Sequence, residues 1–181
     1  MGLKLTFELT DRDLDFFREA LKQSRAAVRD AEETEIIDAI RDVLDEIRSN
    51  EPLPDFVEQR IPTLEAMIQM LVDEEWQLPT DDREHLLATF VYFADPEDIL
   101  PDDIPVIGYL DDVIILELTA RELVHVLEAY AEFCAFRDDY DKQHGKKTDA
   151  AVRRDRLDRQ RRKLHQRMRQ QTAHKRKNEI W

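Results

Sequence analysis

Glycine and proline are scarce in this chain, which has 3 glycines and 7 prolines among its 181 residues. A sheet protein of this length would need more of these turn-forming residues to reverse its strands. The scarcity therefore predicts an all-helical fold. Apolar residues make up 42% of the chain, which is enough to form a core, and the length fits one domain with an appended segment.

Cysteine is nearly absent, and the single one, Cys134, excludes an internal disulfide framework and any metal site made of several cysteines. Its neighbours Phe133, Ala135 and Phe136 are apolar, so we interpret Cys134 as a small buried side chain. The five histidines do not have the spacing of a helical zinc motif. These residue types therefore indicate neither thiol nor zinc chemistry.

Long apolar runs are missing too. The longest stretch without a charged residue is His85–Ala94, ten residues, whereas a membrane-spanning helix needs about 20 apolar residues. The N-terminal residues also lack the continuous apolar stretch of a signal peptide. Both absences predict a cytoplasmic protein with no transmembrane segment.

Charge is abundant but unevenly distributed along the chain. Residues 1–141 hold 12 lysines and arginines against 37 aspartates and glutamates, a net charge of −25. Residues 142–181 hold 15 basic residues against 4 acidic ones, a net charge of +11, which brings the whole chain to −14. Such an asymmetry is typical of a protein with a charged interaction segment.

Apolar residues recur at intervals of three and four along most of the chain, which is the spacing of amphipathic helices. This spacing predicts a compact bundle of about five helices within residues 1–141, the last of them a long helix over about 110–140. Residues 142–147 then form a linker, and residues 148–181 form an arginine-rich C-terminal helix. Few apolar residues lie in this last helix, so we expect it to protrude from the bundle.

The densest motif is the segment 92–112, YFADPEDILPDDIPVIGYLDD. Its order of Asp-Pro, Asp, two further prolines, Gly-Tyr and paired aspartates resembles the signature of the YkvA-like family, a bacterial domain of unknown function. The resemblance covers about residues 86–118 within the acidic part of the chain. It implies a helical fold, and it implies no particular reaction because the family has no established one.

The aspartates of this motif allow two interpretations. Their oxygens suit Mg²⁺ or Ca²⁺, which would make the protein metal-binding or a metal-dependent enzyme. The candidate ligands are Asp95, Asp98, Asp102, Asp103, Asp111 and Asp112. In a purely structural role, Asp95 would cap the N-terminus of one helix. The carboxylates of Asp111 and Asp112 would stabilise the start of the next helix through its partial positive charge. The segment has no calcium-loop spacing, nucleophile or phosphate-binding loop beside these acids.

Arginine dominates the basic residues of the C-terminal helix, and its planar fork can bind a phosphate through two nitrogens. The candidate binding residues are Arg153, Arg154, Arg156, Arg159, Arg161, Arg162, Lys163, Arg167 and Arg169. They are expected to bind RNA, DNA or the ribosome. Two alternatives stay open: an acidic protein surface, including that of the same chain, and a plain solvated helix or an anionic membrane surface.

Three functions are compatible with these patterns. The first is a non-enzymatic interaction protein that binds nucleic acid or the ribosome through its basic helix. The second is a metal-dependent enzyme or metal-stabilised domain built on the aspartates of the motif. The third is a self-association or protein-binding module that uses the acidic body and the basic helix together.

Overall fold

Helix is the regular secondary structure throughout the described part of the chain, which confirms the all-helical class. The computed structural model describes residues 8–28, 31–49, 53–95, 108–144 and 149–178, except for the side chains of residues 27 and 173–178. Its helices are α1 (Asp11–Val28), α2 (Glu33–Ser49), α3 (Asp55–Glu58), α4 (Ile61–Val72), α5 (Thr80–Phe93), α6 (Leu110–Glu122), α7 (Val124–His144) and α8 (Ala150–Asn178).

The chain divides into two compact units, each made of two separate segments. Unit 1 consists of Met1–Ile61 and Glu84–Thr119, and unit 2 consists of Pro62–Arg83 and Ala120–Trp181. This division differs from the predicted one at residue 141, because α8 belongs to the same unit as α7. Of the predicted linker, residues 142–144 form the end of α7 and residues 145–147 lie outside the described part of the chain.

Unit 1 has an apolar cluster and a buried polar contact. Leu21, Tyr92, Ile115 and Leu118 are packed together, from helices α1, α5 and α6. The hydroxyl groups of Thr89 in α5 and Thr119 in α6 lie 3.0 Å apart in the interior and hydrogen-bond to each other. Both helices therefore contribute apolar and matched polar groups, as a buried hydroxyl requires.

Unit 2 has Trp76 at its centre, in the connection between α4 and α5. This side chain is completely buried. Its ring lies 5.6 Å from the Tyr130 ring, 5.2 Å from the Phe133 ring and 4.6 Å from the His165 ring, measured between centroids. Residues of α7 and α8 thus meet on one aromatic side chain, which buries a large apolar area in this unit.

The predicted protruding helix is wrong, because one side of α8 is part of the core of unit 2. Leu157, Leu164 and Met168 are 2%, 0% and 2% exposed. Together with Arg161 they follow the intervals four, three and four, so they line one side of a helix. The apolar residues looked too few in the sequence because arginine occupies one position of the buried stripe.

The number of helices also differs from the predicted bundle of about five with one further helix. Eight helices lie within the described residues, and the predicted long helix over about 110–140 is divided into α6 and α7. The division is at Leu123, whose carbonyl oxygen accepts from the backbone N–H groups of Val126 and Leu127, both at 2.9 Å. The bond from Val126, three residues further on, is that of a turn tighter than an α-helix, and it lies where α6 ends and α7 begins.

Candidate nucleic-acid interface

Arg153 at the start of α8 is bound by acidic residues of unit 2. Its Nε and Nη2 atoms donate to the two carboxylate oxygens of Asp141, at 2.7 Å and 2.8 Å. Its Nη1 atom donates to the carboxylate of Glu75. The hydrogen bonds to Asp141 and Glu75 raise the pKa of Arg153, and the bond from Arg153 lowers the pKa of Asp141. This fork-to-fork pairing fixes the orientation of the arginine.

Two more of the nine candidate residues are also used within unit 2. Arg161 donates from Nη1 to the backbone oxygen of Glu75 at 3.1 Å, and its side chain is 13% exposed. Arg167 donates from Nη2 to Glu132 of α7 at 2.7 Å. Arg153, Arg161 and Arg167 therefore attach α8 to its own unit, and a ligand would have to compete with these bonds.

The other six candidate residues are exposed, and we call them the outer face of α8. They are Arg154, Arg156, Arg159, Arg162, Lys163 and Arg169. Within the described residues, their acidic partners are on α8 itself: Arg159 pairs with Asp155 at 2.6 Å, and Arg162 lies 3.9 Å from Asp158. Exposed pairs of this kind contribute about 0.3–0.5 kcal/mol, so a phosphate can replace them at low cost.

A cavity of about 400 Å³ lies beside the first turns of α8. Glu75, Arg153, Asp158 and Arg161 are among its lining residues. These charges are already paired, Arg153 with Glu75 and Arg161 with Asp158. The cavity therefore has little excess charge of either sign to attract a charged ligand.

An acidic row lies along α7, next to the basic helix. Glu128, Glu132 and Asp139 are exposed residues of this row. Besides Asp141, two further residues of α7 bind α8: Glu132 accepts from Arg167, and the Nε2 atom of His125 lies 2.9 Å from the hydroxyl oxygen of Thr172. The outer face of α8 thus has neighbouring carboxylates on one side, which reduce its positive potential there.

The aspartates predicted as metal ligands are not brought together within the described part of the chain. Asp111 is buried and accepts from the hydroxyl group of Tyr92 at 3.3 Å. Asp95 is exposed at the end of α5, whereas Asp112 is partly buried in the first turn of α6. Asp98, Asp102 and Asp103 lie outside the described residues. Among the residues described, no group of three or more histidines, cysteines, aspartates or glutamates could hold a metal ion.

Sequence reasoning missed the acidic partners that position α8. Glu75 and Asp141 bind Arg153, and Glu132 binds Arg167, but these acids lie 12 to 78 residues away in the chain. They are a few among 41 acidic residues, so composition alone does not distinguish them. A local signal does exist for Glu75. It lies in the turn that follows Asp73, directly before the buried Trp76.

The comparisons with known proteins identify one segment of the chain. A family model described as "Protein of unknown function (DUF1232)" matches residues 85–118, which begin in α5 and end in α6. No curated protein and no solved structure matches the chain. None of the described helices is long and apolar enough to cross a membrane. One segment of the chain is therefore similar to this family, and the match assigns no reaction, ligand or partner.

Proposed function

We propose that this chain is a non-enzymatic interaction module of the bacterial cytoplasm that binds the phosphates of nucleic acid, free or in the ribosome, through the outer face of α8. The observation that carries the proposal is that these six cations are exposed and have no acidic partner from another helix within the described residues. We also assign the chain to the YkvA-like family, on the support of its Asp-Pro to Asp-Asp motif and the matching segment 85–118.

The affinity would come mainly from charge. Arginine and lysine side chains that neutralise phosphates release the counterions bound to the nucleic acid, which makes binding strongly dependent on salt. Arg154 and Arg169, the first and last residues of the outer face, are 15 positions apart in the chain, or about 22 Å along the helix at 1.5 Å per residue. Because α8 is held on unit 2, these cations are displayed on a rigid helix and little order has to be gained on binding.

A charge-matched pair of variants tests the proposal in the full chain. The first variant combines Arg156→Gln, Lys163→Gln and Arg169→Gln on the outer face. The control combines Arg12→Gln, Arg18→Gln and Lys22→Gln, which removes the same charge from exposed positions of α1. Both variants keep the contacts that attach α8 to unit 2. Both also change the net charge of the protein by the same amount, so an effect of net charge alone is the same in the two proteins.

The readout is the fluorescence anisotropy of short labelled DNA and RNA over a salt series. We expect the outer-face variant to lose at least about tenfold in affinity and to lower the slope of log K against log salt by about 2 to 3, since three phosphate contacts disappear. The control should bind like the wild type. Equal losses in both variants, or no binding by the wild type, would show that the proposal is wrong.

A second candidate function is binding of an acidic protein surface, including that of another copy of this chain. The observation that favours it is that Arg153 and Arg167 already bind carboxylates of their own unit. The same variants decide this candidate in a different measurement. If a dimer seen by sedimentation dissociates when the outer face is neutralised, and no nucleic acid binds, then the helix binds protein.

A further inference from the structure

The exposed side of α8 has three parallel rows of side chains. With 3.6 residues per turn, positions seven apart lie almost in line along a helix, about 10 Å from each other. Arg159 and Gln166 form the middle row. The row on one side of it consists of Arg156, Lys163 and Gln170, and the row on the other side consists of Asp155, Arg162 and Arg169. All eight side chains are exposed.

The middle row differs chemically from the two rows beside it. Each outer row has two cations, which suit phosphates, and contacts to phosphates carry no sequence information. The middle row combines an arginine with a glutamine, the side chains that hydrogen-bond to guanine and to adenine through two atoms each. The carboxylate of Asp155 holds Arg159 at 2.6 Å, so that this guanidinium is already oriented on the exposed side.

We propose that α8 lies in the major groove of duplex DNA. This inference rests on the proposed function and specifies its ligand. The major groove is about 12 Å wide and an α-helix with its side chains is about 10–12 Å across, so the helix fits with its exposed side inwards. The cations of the two outer rows then face the phosphates of the two strands, and Arg159 and Gln166 face the edges of the bases.

The same face is poorly suited to other nucleic acids. Proteins that bind single strands stack the bases on aromatic side chains. Between residues 149 and 172 the described part of α8 contains no phenylalanine, tyrosine or tryptophan, and its histidine, His165, lies against Trp76. In duplex RNA the major groove is too deep and narrow for side chains to read. DNA in its usual duplex form is therefore the ligand that this geometry favours.

The first experiment compares three probes of one sequence with the full chain. These are a DNA duplex, its single strand and the RNA duplex, each measured by fluorescence anisotropy over a salt series. We expect the DNA duplex to bind at least about tenfold more tightly than the other two. If the single strand or the RNA duplex binds as tightly, the groove inference is wrong while the proposed function stands. If no probe binds, both are wrong.

Two single substitutions then test the role of an outer row and the role of the middle row separately. Arg162→Ala removes a phosphate contact, so the salt slope should fall by about 1 while the preference among DNA sequences stays the same. Gln166→Ala leaves the salt slope unchanged and reduces the discrimination between bases at one position by about tenfold, as measured by selection from randomised duplexes. A loss of slope in Gln166→Ala, or an unchanged sequence preference, contradicts the assignment of the rows.

Discussion

Trp76 and His165 contact each other edge to face, with ring centroids 4.6 Å apart and an angle of 82° between the rings. Their ring nitrogens Nε1 and Nε2 are both buried without a hydrogen-bond partner in the described part of the chain. Burial, together with the charges of Arg161 and Arg169, lowers the pKa of His165 to about 4. This contact therefore requires a neutral imidazole, and it makes the docking of α8 sensitive to acid.

We expect the free energy of unfolding to fall as the pH drops from about 6.5 towards 4. In that range His165 takes up a proton in the unfolded chain but not in the folded chain, which favours unfolding. The stability that is present above the pKa of the unfolded chain is therefore lost as the pH falls towards the pKa of the folded chain. His85 acts in the same direction, because burial and the charge of Arg25 lower its pKa to about 4. Asp82 has the opposite effect, because burial and the charge of Asp81 raise its pKa to about 6. Its contribution to the stability is present at low pH and is lost as the pH rises through 6.

Urea unfolding between pH 4 and pH 7 measures this dependence. His165→Gln cannot be protonated in this range and should therefore make the stability less dependent on pH than in the wild type. His144→Gln, at an exposed position of α7, is the control and should follow the wild type. A pH dependence of His165→Gln that matches the wild type would contradict the role given to this histidine.

Asp73→Asn should destabilise the protein by about 2 kcal/mol, measured by urea unfolding at pH 7. The carboxylate of Asp73 accepts from Arg137 Nη1 at 2.7 Å and from the Tyr130 hydroxyl at 3.1 Å. It also accepts from the backbone N–H groups of Glu75 and Trp76. A neutral amide at this position removes a partly buried negative charge that pairs with Arg137. Asp138→Asn, at an exposed position on α7, should change the stability by less than about 0.5 kcal/mol.

Leu164→Ala should cost about 3 kcal/mol in the free energy of unfolding, because the side chain is fully buried in unit 2. Val152→Ala on the same helix is the matched control, since Val152 is 51% exposed and its truncation should cost less than about 0.5 kcal/mol. Equal small effects in both variants would mean that α8 does not pack as described. For the same reason, removing residues 148–181 would disturb unit 2 as well as the binding face.

Glu128→Gln should increase the affinity for duplex DNA by about two- to threefold at low salt, because it removes a negative charge beside the binding face. Glu128 is exposed on α7, between His125 and Glu132, which both contact α8. The gain should disappear at high salt, where exposed charges are screened. Glu46→Gln on α2 removes the same charge from another exposed position and should leave the affinity unchanged in the same anisotropy measurement.

Much of the helical pattern could be predicted from local spacing. Ile36, Ile40 and Leu44 recur at intervals of four and lie on the buried side of α2, and the apolar middle of α5 is buried in the structure. The break at Leu123 could not be predicted, because no glycine or proline marks it. Tertiary packing decides such a break, and packing partners are not visible in a local pattern.

The sequence predicts the candidate basic residues as one cluster, but it does not predict that they divide between a side bound within unit 2 and the outer face of α8. The nine candidate residues of α8 are equivalent in the sequence, whereas Arg153, Arg161 and Arg167 bind within unit 2 in the structure. A long arginine side chain can cover apolar surface with its methylene groups while its charged end reaches a polar partner, so an arginine can occupy a position in a buried stripe. Separating the two faces requires the partners, which come from distant parts of the chain.

The aromatic contact of Trp76 has a further consequence for how the protein is made. Trp76 is synthesised before the 36 residues of Glu84–Thr119, which belong to unit 1, and long before α8. Until α8 leaves the ribosome, a large apolar ring that is completely buried in the finished fold has no cover from His165. Nascent chains that expose such surface are prone to aggregate and are recognised by chaperones. Folding of unit 2 therefore has to wait for its last helix, while the residues of unit 1 are complete much earlier.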